Sequence, residues 1–288
     1  MNPVKIVVPL AGSGRDRLAL ETAFAAAKPF AAHVVALFVQ ADARQAIPYG
    51  ELSLAPDIMQ DLIDTAADVE EAASKAARST LATLAAEASI RIVAAPQKGD
   101  AVTVSFAESR GRLSRALDHA ARLCDLVVFP PVRATDDPEL QDGFLRVLTR
   151  MQRPVLLSAE KPPAHLTRKV ALGWDGSVAC AHALTAAVPY LAKADEIGIL
   201  SVADGALPGE TVHEAIEYLT LNGLSCTRQT IVRQGRSVAK ALLDRAAEDG
   251  FDLLVAGGYG HGRLMESIFG GVTEHIVSHS AIPVFLTH

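Results

Sequence analysis

The chain is poor in cysteine, in aromatic residues and in positive charge. Only Cys124, Cys180 and Cys226 occur in 288 residues. They form neither a CxxC pair nor a zinc-like spacing, so neither a disulfide framework nor a structural metal is implied. Lysine and arginine number 27 against 33 aspartates and glutamates, for a net charge of -6 and a pI near 5.8. That balance lacks the basic footprint that nucleic acid or an anionic membrane needs in a partner. No apolar run approaches the roughly 20 residues of a membrane span. The opening stretch "MNPVKIVVPLAGSGRD" has no long apolar core of a signal peptide. A reducing, cytoplasmic setting is therefore expected, with no nucleic acid and no membrane as partner.

Several catalytic signatures are also missing. There is no GxxxxGK[ST] phosphate loop, no SGGxDS-type loop, no GxSxG elbow and no HExxH helix. "GSGRDR" begins like a dinucleotide fingerprint but carries Arg17 at the third glycine position. His261 and Glu266 lie in one loop without a companion base or paired carboxylate, so an enzyme is not the favoured expectation.

What the chain does have is apolar substance, half of its residues being hydrophobic, and a pattern written twice. "KIVVPLAGSG" from Lys5 parallels "KVALGWDGSV" from Lys169, each a short apolar strand running into a Gly-Ser turn. Alanine-rich helical stretches follow both, and then second strands, "HVVALFV" and "EIGILSV". Further on, "GRLSRALDHAARLCDLVVFP" parallels "GRSVAKALLDRAAEDGFDLLVAGG", a helix at 3.6-residue spacing leading into an apolar strand. Each copy closes on a proline-initiated strand, "RPVLLSA" or "IPVFLTH". Strands that alternate with helices and are apolar on both faces predict parallel sheets covered by helices. The expectation is two tandem α/β domains, residues 1–160 and 167–288, joined by the proline-containing stretch 159–168. Each would be an open, mostly parallel, five-stranded sheet of Rossmann-like form. The first copy adds a long helical segment near Pro56 to Ala88 and an extended piece at 91–96.

In the second copy, strand "KVALGW" ends at Asp175, and a carboxylate at the C-terminal edge of a parallel strand sits where open α/β sheets bind ligands. The same residues also suit a plain turn, with Asp175 or Ser177 capping the next helix. After the strand "FDLLVA" comes "GGYGHGRLMESIFGGVT", whose glycines permit close backbone approach, and whose last pair opens a helical pattern able to receive an anion. Trp174, the sole tryptophan, suits stacking on a base or packing under a helix.

On these residues the chain resembles the universal stress protein family in its tandem, two-copy form. The nucleotide-binding members carry Gly, two residues, Gly, nine residues, Gly, then Ser or Thr, and Gly257, Gly260 and Gly270 match that spacing. The resemblance implies a site for ATP or another adenine nucleotide, with or without Mg. It would be built from Gly173, Trp174, Asp175, Val202, Ala256, Gly257, Gly260, His261, Gly270, Gly271, Val272 and Thr273. Asp175 would hold the ribose and the backbone of Val202 the base, while Gly260, Gly270, Gly271 and Val272 would contact phosphate. The hydroxyl expected after Gly270 is absent, because Gly271 stands there, with Thr273 two residues on. The first copy departs further: Pro130 and Arg133 replace the early glycines, Gly143 alone survives, and Ala11 stands where Asp175 stands in the second. One competent site, in the C-terminal half, is expected. The resemblance also implies that the two closing strands abut as an internal pseudo-dimer, with further homodimerisation open.

Overall fold

The structure, a computed structural model, describes residues 2–41, 56–97, 99–133, 135–161, 165–203, 209–258 and 280–288. The first half runs β1 (Lys5–Leu10), α1 (Asp16–Ala27), β2 (His33–Gln40), α2 (Pro56–Glu87), β3 (Arg91–Ile92), β4 (Thr103–Arg110), α3 (Leu113–Ala120), β5 (Leu126–Phe129), α4 (Pro138–Leu145) and β6 (Val155–Leu157). The second runs β7 (Lys169–Gly173), α5 (Val178–Leu191), β8 (Glu196–Ala203), α6 (Gly209–Leu221), β9 (Thr227–Val232), α7 (Val238–Glu248), β10 (Leu253–Gly257) and β11 (Val284–Thr287).

Among the described residues eleven strands make one sheet in the order β3-β4-β2-β1-β5-β6-β11-β10-β7-β8-β9. Within each half every pairing is parallel. The halves meet where β6 and β11 run antiparallel, with Phe285 opposite Leu156. The two expected sheets are thus fused edge to edge, the first with six strands rather than the expected five because the short β3 adds to its edge. β3 is shorter than the extended piece foreseen at 91–96, and β4, which the sequence pattern did not announce, supplies the strand beside β2.

Alternation along the strands sorts the core into two layers. Ile6, Val8, Leu172 and Ile199 face the side covered by α1, α2, α5 and α6, while Val7, Ala171 and Leu200 face α3, α4 and α7. Both layers run through the β6–β11 seam. Phe30 meets Tyr190 edge-on at 5.0 Å between ring centroids, and Tyr190 in turn touches Phe285 at 5.8 Å. The repeated "DL" before β5 and β10 has a common task. Asp125 accepts hydrogen bonds from the Val4 and Lys5 amides, and Asp252 accepts one from Lys169, so each carboxylate ties down the start of its neighbouring central strand.

Candidate functional site

In each half the chain crosses the sheet in opposite directions on either side of one point, between β7 and β10 in the second half and between β1 and β5 in the first. Ligands of open α/β sheets bind at the carboxyl ends of the strands flanking such a point. Gly173, Trp174 and Asp175 close β7, Ala256 and Gly257 close β10, and Val202 lies near the end of the adjacent β8, so the structure gathers these six predicted residues on one rim. Gly260, His261, Gly270, Gly271, Val272 and Thr273 lie outside the described residues.

The turn after β7 is built for a helix start. Asp175 Oδ1 accepts a hydrogen bond from the Ser177 amide at 2.8 Å, and Ser177 Oγ caps α5 by accepting from the Cys180 amide at 3.2 Å. Gly176 takes a φ of +77°, and a Cβ there would lie 2.9 Å from Thr211 Oγ1 of α6, so both conformation and space require glycine. The Cys180 thiol donates to the Gly173 carbonyl at 3.3 Å. Burial first, and then the neighbouring Asp175 carboxylate, push its pKa up to about 11. Asp175 therefore serves both the helix cap and the electrostatics of the rim.

Gly257 has a reason that spacing alone did not reveal. A Cβ there would stand 2.5 Å from the Cys180 amide nitrogen and 2.9 Å from the Ala179 Cβ, so its close approach is to the first turn of α5. Gly258 continues the chain by donating to the Thr287 carbonyl at 2.7 Å, and its own carbonyl meets His288 Nδ1 at 3.3 Å. Trp174 is 7% exposed and belongs to the core layer holding Leu172, Cys180 and Val212. Its indole N–H and the hydroxyl of Ser201 have no hydrogen-bond partner among the described residues.

The first half repeats the geometry and changes the chemistry. Gly12 matches Gly176, with a φ of +71° and no room for a Cβ against Ala73 of α2. Where Ala11 leaves the acid position empty, Asp16 reaches back from α1. Its carboxylate accepts from the Ala11 amide at 3.0 Å and from the Gly12 amide at 2.8 Å. Asp16 is 4% exposed, and that burial raises its pKa against the lowering effect of those amides. Asp136 accepts from the Arg133 amide and pairs with both terminal nitrogens of Arg15, at 2.7 and 3.0 Å. Glu139 accepts from the Leu113 amide at the start of α3, and Asp137 caps α4 through the Glu139 amide. The surviving Gly143 lies between helices, where a Cβ would stand 3.0 Å from Leu117 Cδ1. None of these carboxylates was singled out in the sequence. The available signal was the clustering of Asp16, Asp136, Asp137 and Glu139 at loop ends and first helical turns.

Residues 167–288 match the model of the universal stress protein family. A universal stress protein from Archaeoglobus fulgidus superposes on 98% of this chain and 95% of its own, with a TM-score of 0.66 and 17% identity. A Pseudomonas aeruginosa structure described as a putative universal stress protein covers 99% of this chain and 93% of its own, with a TM-score of 0.55 and 15% identity. A search of curated proteins returns no significant match. No described helix is long and apolar enough to cross a membrane. The fold of the whole chain is that of the universal stress protein structures it matches, and its residues 167–288 form a domain of the universal stress protein family.

Proposed function

We propose that the C-terminal half binds an adenine nucleotide, ATP or a relative, and that the protein works as a nucleotide-responsive regulatory module of the cytoplasm rather than as an enzyme. The observation that carries this is Asp175, held at the β7 edge of the switch point beside the capped start of α5, in the half that matches the family model. The carboxylate suits ribose hydroxyls, and the backbone of Val202 on the adjacent strand suits the base. Gly260, Gly270, Gly271 and Val272 would offer backbone amides to the phosphates, with Mg as an optional companion of that charge. Without a Ser or Thr hydroxyl after Gly270, one charge-assisted hydrogen bond is missing, which weakens phosphate binding by about ten- to a hundredfold unless Thr273 replaces it.

The first half is assigned no nucleotide. Its corresponding amides at Ala11, Gly12, Arg133 and Leu113 already donate to Asp16, Asp136 and Glu139. A phosphate there would have to displace a carboxylate from each donor. The first half instead acts as the internal partner of the second across β6 and β11.

Calorimetric titration of the intact chain with ATP, ADP and AMP tests the assignment. Wild type is expected to bind one equivalent, Asp175→Ala to lose about tenfold or more in affinity, and Arg15→Ala to leave the stoichiometry at one. Two equivalents, or equal weak heats for wild type and Asp175→Ala, overturn it.

A further inference from the structure

We propose that the N-terminal half carries a second small-molecule site, and that this site takes an apolar organic cation, an amidinium or ammonium on a flat hydrophobic body. A cavity of about 660 Å³ opens at the carboxyl ends of β1, β2 and β5. That volume lies within the roughly 300–1,000 Å³ typical of ligand pockets. Its floor is apolar, formed by Pro9, Leu10, Phe38, Leu113, Pro130 and Leu140. Leu10 and Phe38 are buried strand residues and Pro130 is buried directly after β5, so this part of the lining is pre-formed.

The polar wall decides the charge of the occupant. The cavity is lined by five carboxylates and two guanidiniums. Both guanidiniums are paired with internal carboxylates: Arg15 binds Asp136 through two nitrogens, and Arg112 Nε binds Glu139 at 2.8 Å. Asp16 accepts from the Ala11 and Gly12 amides and from the Ser13 hydroxyl. Glu70 and Asp137 each accept one backbone amide, from Ala41 and Glu139, and make no ion pair among the described residues. An anion entering this cavity finds both guanidiniums paired, the Ala11, Gly12 and Leu113 amides engaged, and the acidic Glu70 and Asp137 in the lining. A cation finds an apolar floor for its body and two unneutralised carboxylates for its head. Asp16, Asp136 and Glu139 thus occupy the amides a phosphate would need, while Glu70 and Asp137 leave negative charge for a cation. This assignment is independent of nucleotide binding in the other half.

The test holds shape constant and varies charge, by titrating the intact chain with benzamidine, benzamide and benzoate at neutral pH. Benzamidine, as its amidinium, is expected to bind at least about tenfold more tightly than benzamide, and benzoate to give no binding heat. In Glu70→Gln/Asp137→Asn, whose asparagine still caps α4, benzamidine affinity should fall by about tenfold or more. Benzamidine binding should be unchanged in Asp175→Ala, which separates this site from the nucleotide site. Absence of benzamidine binding at millimolar concentration overturns the proposal, as does benzoate binding equally well. Benzamidine binding that survives in a folded double variant overturns it too.

Discussion

A glycine kept for backbone contact can be told from one with room to spare, and Gly257 and Gly173 show the difference. Its missing Cβ is required by the Cys180 amide at 2.5 Å, whereas at Gly173 the nearest atom to a Cβ would be Leu242 Cδ1 at an ordinary 3.5 Å. Gly257→Ala must push α5 away from the sheet and is expected to cost about 1–3 kcal/mol, the usual penalty of overpacking. Gly173→Ala should cost much less, and urea unfolding of the two variants measures the difference. His33 offers a pH prediction at the same scale. Its ring nitrogens meet Thr103 Oγ1 at 2.8 Å and Ser105 Oγ at 2.9 Å. Burial, and then the charge of Lys5, lower its pKa from the usual 6.5. The folded state thus favours the neutral ring, and no penalty arises above the unfolded value. As pH falls below about 6.5 the unfolded chain takes up the proton first, and stability drops until the folded-state pKa is passed. Denaturation midpoints between pH 7.5 and 5 should show that decline, and His33→Gln should flatten it.

At the scale of the element, what was legible in the sequence depended on whether burial wrote a pattern. β1, β2, β5, β7, β8 and β10 are central strands with apolar residues on both faces, and their hydrophobic runs announced them. β4 went unannounced because only its first half is buried. Phe106 is covered by the Arg78 guanidinium of α2 at 4.1 Å, and Glu108 is bonded by Ser74 and Arg78, so "TVSFAESR" reads as a polar segment. The site was legible to the same extent. Asp175 and the glycines stood out by type and spacing, whereas Asp16 did not, because its partners Ala11 and Gly12 are backbone amides that no side-chain pattern records. The start of α5 supplies a prediction of this kind. Ser177 is its N-cap, so Ser177→Ala is expected to cost about 1 kcal/mol of stability. Ser177→Asp, which keeps an acceptor at the cap, should restore it; equal unfolding midpoints for all three proteins would count against the cap as an energetic feature.

At the scale of the whole molecule, the first half covers the last strand of the second across the β6–β11 pairing. β11 would otherwise be an edge strand, and its Val284, Phe285 and Leu286 are buried against β6 and the layers on either side. An exposed, apolar, unpaired edge of this kind invites pairing with another chain. The register Val284↔Leu157, Phe285↔Leu156, Leu286↔Val155 is antiparallel and centred on Phe285, so a second β11 could occupy the place of β6 by two-fold symmetry with Phe285 at its centre. The aromatic contact of Tyr190 with Phe30 would be lost with the first half, leaving further apolar surface beside the same edge. A fragment spanning 165–288 is therefore expected to self-associate through β11, and sedimentation velocity should find it as a dimer or larger. Removing a ladder donor at the seam with Phe285→Pro, or placing a charge there with Leu286→Lys, should abolish that association. A fragment that stays monomeric and folded at high concentration would show that β11 needs no partner, and that the first half is kept for some reason other than covering it.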